Sequence, residues 1–172
     1  MALEEMGFKR ANNNNLLKTP KNNMYNVSKE SGKFKQGKYA LITGNKSYSQ
    51  NSEYEIRMTT NSNNAYGEDV KVVLISQAGS EGLDFKNLRQ VHILEPWYNM
   101  NRIEQIIGRA VRNCSHKNLP LNERNVQIFM YGTMNEERPD NECIDLYVYR
   151  YAENKSKKSG KVLRILKESS VD

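Results

Sequence analysis

KVVLISQAGSEGLDFKNLRQVHILEPWYNMNRIEQIIGRAVR, residues Lys71–Arg112, is the stretch on which the reading of this chain turns. Lys71–Ile75 (KVVLI) is a continuous apolar, β-branched run, which predicts a buried parallel strand. It runs into a polar loop containing Gly79 and Gly82, where the absence of a Cβ lets backbone come close to a ligand. Gln90–Leu94 (QVHIL) predicts the next buried strand, closed by Pro96. Ligands of open α/β sheets bind at the carboxyl ends of the strands, which is where this loop lies.

From Met100 to Arg112 the apolar residues Met100, Ile103, Ile106, Ile107, Ala110 and Val111 recur at helical spacing, and Asn99 precedes them as a candidate N-cap. At about 100° per residue, Arg102, Gln105, Arg109 and Arg112 fall within a sector of roughly 80° on another face. Guanidinium groups so crowded repel one another unless they meet carboxylates or phosphates, and their planar fork suits phosphate oxygens. The alternative is a solvated basic face with surface ion pairs. Loop and helix are expected to converge on one edge of a single sheet.

These residues resemble a known family. Ser76–Phe85 is similar to motif V, and Gln105–Arg112 to motif VI (Q-x-x-G-R-x-x-R), of superfamily 2 helicases and related ATP-dependent translocases. Glu95–Asn99 (EPWYN) resembles the D-P-x-W-N-P stretch of chromatin remodellers. Gly108–His116 with Glu123–Tyr131, and the closing Leu166–Asp172, resemble the nucleoside triphosphatases and helicases of poxviruses and other large DNA viruses. Ser76 stands where relatives have threonine, and Met100 where they have proline; neither change removes a needed donor.

The resemblance implies a RecA-like α/β lobe with a parallel sheet, the second of two lobes that close on ATP. In that frame Arg109 and Arg112 are arginine fingers that stabilise charge on the γ-phosphate. Gln105, Gly108, Gly82 and Asp84 lie on the nucleotide side. Ser76, Gln77, Gly79 and Ser80, with Thr43–Gly44 after the strand-like KYALIT run, offer hydroxyls and amides to a DNA or RNA backbone. The implied partners are nucleic acid, ATP with Mg2+, and the first RecA-like lobe of the same parent protein. Motors of this class follow the backbone rather than read bases.

The sequence holds no G-x-x-x-x-G-K-[ST] loop and no D-E-x-[DH] carboxylates. The magnesium ligands are therefore expected on the first lobe, and the chain alone is expected not to hydrolyse ATP. Ala2–Phe8 reads as the end of the second lobe's first helix, the strand before it being outside this sequence. One alternative is a binding module derived from such a lobe, to which finger arginines would be useless. Another is the motor of a restriction-type enzyme, which a nuclease domain in the parent gene would reveal.

The 172 residues suffice for one domain, 37% of them are hydrophobic, and the net charge of +6 suits a polyanionic partner. Two cysteines, Cys114 and Cys143, and no signal peptide point to a reducing intracellular setting, cytoplasm, viral factory or virion, rather than secretion. No run reaches membrane-spanning length. Cys114-Ser115-His116 has no further soft ligands nearby in sequence, so no metal site is expected. Residues 1–139 are expected to form the lobe, interrupted by a polar, Asn-rich segment at about 11–38 that reads as a mobile surface loop. Lys38–Thr43 and Asn125–Tyr131 are expected as strands and Glu53–Thr60 as a short helix. Residues 140–172 are expected as a basic extension of one or two amphipathic helices, interrupted by KSKKSGK at Lys155–Lys161.

Overall fold

A computed structural model describes residues 1–17, 36–49, 51–76, 83–137 and 141–170. The chain forms two units: Met1–Asn87 with Lys117–Pro120, and Leu88–His116 with Leu121–Asp172. Most of the polar segment at 11–38 lies outside the described residues.

The first unit is built on a parallel sheet in the order β1 (Lys9–Arg10), β2 (Lys38–Ile42), β3 (Val72–Ile75). Tyr39 stands opposite Val72 and Ile42 opposite Ile75, so β2 is paired on both sides and almost fully buried. A four-residue helix, α1 (Ala2–Glu5), leads into β1 through Gly7, whose φ of +94° is one a residue with a Cβ rarely adopts. Helix α2 (Ser52–Thr60) packs on β2, and Met58 and Val73 close over a small core of Ala11, Ala40 and Val70. The Asn64 amide fixes the approach to β3: its Oδ1 accepts from the Asp69 and Val70 N–H groups at 2.9 Å, and its Nδ2 donates to the Val70 carbonyl at 3.0 Å.

Two buried polar sites tie this unit together. Glu4 accepts hydrogen bonds from the Leu16 and Leu17 amides and the Tyr39 hydroxyl, at 2.6–2.8 Å. Arg10 meets Glu55 at 2.8 Å, both side chains almost wholly buried, and the Leu41 N–H and Tyr48 carbonyl take up remaining hydrogen-bonding capacity.

In the second unit β4 (Gln90–Ile93) pairs in parallel with β5 (Gln127–Met130), and helices α3 (Met100–Ala110) and α4 (Ile144–Glu168) pack on each other. Ile103 and Ala110 on α3 and Ala152 on α4 are buried. Among the described residues no helix is long and apolar enough to cross a membrane.

Five expectations are corrected. The Gln90–Leu94 run is not a buried strand throughout: β4 ends at Ile93, and Gln90, His92 and Leu94 are exposed. The described strands pair in two sheets rather than one, with β3 and β4 in different units. The KVVLI strand is not buried at its end: Leu74 is 37% and Ile75 40% exposed, because β3 pairs only with β2 among the described residues. An apolar run specifies what burial would favour, but only covering layers supply it. Asn99 occupies the cap position of α3 without a side-chain hydrogen bond to the helix. Finally, α4 runs unbroken through Lys155–Lys161, since lysine is a good helix former and one exposed glycine costs only about 1 kcal/mol.

Candidate nucleotide and nucleic-acid site

Parallel strands bring their carboxyl ends to one edge, and in the first unit that edge holds the Thr43–Gly44 turn and Ser76. The Ser76 N–H donates to the Ile42 carbonyl at 3.0 Å, which sets Ser76 beside Thr43 and Gly44. The Thr43 hydroxyl donates to the Asn45 carbonyl at 3.2 Å, and Asn45 Oδ1 accepts from the Ser47 amide, so the turn after β2 is fixed by its own side chains. Gly44 is exposed and Ser76 half-buried, leaving both within reach of a ligand. Gln77, Gly79, Ser80 and Gly82 lie outside the described residues. Asp84 is exposed and already engaged within the chain, and the neighbouring Phe85 is buried.

The second unit carries the arginine helix. Gln105, Gly108 and Arg109 lie on α3 as expected, with Gln105 and Gly108 exposed and Arg109 half-exposed. A Cβ at Gly108 meets nothing within 4 Å among the described residues. Arg112 departs from the wheel: α3 ends at Ala110, and Val111, with φ −99° and ψ 60°, turns the chain out of the helix. Its position follows from that turn and not from the helical period. Arg109 and Arg112 each engage another group of the chain.

The turn itself is secured by the Cys114-Ser115-His116 segment. Cys114 takes a left-handed φ of 60°, the Ser115 N–H donates to the Arg112 carbonyl, and His116 Nε2 donates to the Leu88 carbonyl at 2.7 Å. A carbonyl can only accept, so Nδ1 of a neutral His116 is left to accept from the Ser115 hydroxyl at 2.8 Å. Among the described residues no group of three or more His, Cys, Asp or Glu side chains comes together to hold a metal ion.

One contact has only a weak signal in the sequence. Arg102 lies 4.0 Å over the Trp97 ring, and Trp97 stacks on Tyr98 with centroids 4.9 Å apart. Arg102 is thereby set apart from Gln105 and Arg109: its guanidinium is occupied by an aromatic face. An aromatic five residues ahead of a helix arginine was the clue, but spacing alone does not tell stacking from separation.

Comparison with known proteins fits this arrangement. Residues 3–114 match the family described as the helicase conserved C-terminal domain. A protein of Acanthamoeba polyphaga mimivirus named as an ATP-dependent RNA helicase is 39% identical over 120 residues, covering 67% of this chain and 15% of the relative. A nucleoside triphosphatase I of Choristoneura biennis entomopoxvirus is 35% identical over 144 residues, covering 78% of this chain and 22% of the relative. A termination factor NPH-I homolog of African swine fever virus is 42% identical over 94 residues, covering 55% and 13%. The chain thus spans less than a quarter of each of these relatives. With two thirds of its length matched, with parallel strands, and with the Q-x-x-G-R-x-x-R residues on and just after one helix, the chain belongs to the helicase C-terminal domain family, as a partial RecA-like lobe followed by a helix.

Proposed function

We propose that the chain is the second lobe of an ATP-dependent nucleic-acid motor, and that Arg109 and Arg112 reach the γ-phosphate of ATP held by a first lobe of the same parent protein. The observation that carries this reading is Arg109 on α3, half-exposed and next to an exposed Gly108, within a Q-x-x-G-R-x-x-R sequence. The ground state is bound chiefly by the first lobe. The arginines act as negative charge spreads over the equatorial oxygens, in the closed state. Gln105, Gly82 and Asp84 take the nucleotide side. The Thr43–Gly44 turn and the loop beginning at Ser76 take the phosphates of DNA or RNA, coupling strand to nucleotide. Magnesium belongs to the first lobe, and no step here is assigned to it.

In this reading residues 1–139 form the lobe and 140–172 a basic extension, and the parent protein acts inside the infected cell. The test joins the chain to its first lobe and follows phosphate release with and without single-stranded nucleic acid. The joined enzyme should hydrolyse ATP and be stimulated by the strand, while the 172-residue chain alone should show no turnover. Steady turnover by the isolated chain, or a joined enzyme indifferent to nucleic acid, would refute the assignment.

A further inference from the structure

Helix α4 presents three faces. One packs inward through Val148, Tyr149, Ala152 and Ser156, with Ala152 fully buried. A second is neutralised by ion pairs: Arg150 with Glu142, Lys157 with Glu153 at 2.7 Å, and Arg164 with Glu168 at 2.9 Å. The third, at about 100° per residue, carries Tyr147, Tyr151, Lys155 and Lys158, with no carboxylate among them. All four are exposed, and neither lysine pairs with a carboxylate among the described residues. Tyr147 and Tyr151 stack with centroids 6.3 Å apart, and Lys155 lies 5.8 Å over the ring of Tyr98, which is itself 54% exposed.

Exposed aromatic rings interleaved with cations that no carboxylate neutralises, on one rigid face, are the chemistry that holds single-stranded nucleic acid. Bases stack on rings whatever their sequence, and ammonium groups meet the phosphates between them. We propose that the α4 face formed by Tyr147, Tyr151, Lys155 and Lys158, continued by Tyr98 from the loop before α3, is a stacking platform for a single strand. It is distinct from the loops at Thr43 and Ser76, which address only the backbone, and it does not depend on the role of the arginine helix. Charge complementarity favours this occupant over another protein surface, since this face sets Lys155 and Lys158 beside Tyr147 and Tyr151 with no carboxylate among them. The aliphatic residues of that face stand only at its ends, Ile144 at one and Val162 and Ile165 at the other, which makes a lipid surface the weaker fit.

The platform contains its own reporter, because Trp97, stacked on Tyr98, is the chain's one tryptophan. End-labelled oligothymidylate and an abasic strand of equal length are titrated into the 172-residue chain, reading label anisotropy and Trp97 emission. The base-bearing strand should bind, alter Trp97 emission and weaken with salt, and the abasic strand should bind at least about fivefold more weakly. Tyr98→Ala and Tyr151→Ala should each weaken binding roughly fivefold to a hundredfold, while Tyr151→Phe, which keeps the ring, should bind normally. Circular dichroism of each variant separates lost stacking from lost fold. Equal binding of the abasic strand, or full affinity in a folded Tyr151→Ala chain, would overturn the platform. Loss of affinity confined to Ser76→Ala would overturn it too, yet leave the helicase reading standing. Trp97 responding to phosphatidylserine vesicles and not to the strand would reassign the face to a membrane surface. Tyrosine-dependent dimers without strand binding would reassign it to a second copy.

Discussion

Arg109 is the residue at which charge and geometry can be separated. In the two-lobe enzyme proposed above, Arg109→Lys keeps the positive charge and loses the bidentate fork, so turnover should fall about a thousandfold or more while ATP affinity changes far less. Steady-state kinetics measure both, and near-normal turnover would remove the finger role. The lobe should melt as before, since α3 is held by Ile103 and Ala110 on its other side. Arg10 and Glu55 pose the reverse case, a charge pair with a structural role. Both side chains are almost wholly buried, so Glu55→Gln, which leaves the guanidinium without its counter-charge, should destabilise the first unit by about 3–5 kcal/mol. Arg10→Met combined with Glu55→Leu should cost less than the two single losses added, because no charge is then stranded. Denaturant melts of the wild type, Arg10→Met, Glu55→Leu and the double variant check this; simple additivity would mean that the pair is not coupled.

At the scale of elements, period and boundary were unequally legible. The strands at Lys38–Ile42 and Gln127–Met130 and the helix at Ser52–Thr60 lie within a residue or two of where apolar alternation and spacing place them. A hydrophobic period is a local property, and local properties are written in the sequence. The end of α3 was not legible, because Val111 continues the apolar stripe while its backbone leaves the helix, drawn into a turn that His116 fastens to the Leu88 carbonyl. The two-residue β1 is too short to show a period at all. The continuity of α4 through KSKKSGK was likewise missed: a basic glycine-containing run reads as a break, yet Gly160 sits inside a helix with open space around it. Gly160→Ala should therefore raise helicity and stabilise the helix by about 0.5–1 kcal/mol. Were the helix broken there, the same substitution would leave the ellipticity at the helical minimum unchanged. That measurement separates the two readings.

For the molecule as a whole, the short-range motif was legible as a pattern of residues and the polar framework was not. The motif residues could be named because their chemistry depends on short spacing, whereas Glu4 reaches Leu16, Leu17 and Tyr39 across gaps of 12 to 35 residues that no pattern announces. That cluster gives the first unit a defined response to pH. Burial alone would raise the Glu4 pKa, but the Tyr39 hydroxyl, the two amides and the nearby N-terminal charge together hold it below its ordinary value of 4.5. A depressed carboxylate contributes stability that is fully present above the ordinary value and is lost as pH falls through the folded one. Burial and the hydrogen bond to Glu4 push the Tyr39 phenol the other way, well above its ordinary value of 10.0. Its contribution is present below that value and fades only in strong alkali. The melting temperature should accordingly hold level, as far as this cluster decides it, between pH 4.5 and 10.0, and fall on the acid side. Glu4→Gln should lower it across the plateau by removing the charged acceptor of three hydrogen bonds, and should flatten the acid fall. Melts of both proteins from pH 10.0 down to well below 4.5 test the sign: an acid limb equally steep in Glu4→Gln would show that Glu4 is not the group that titrates.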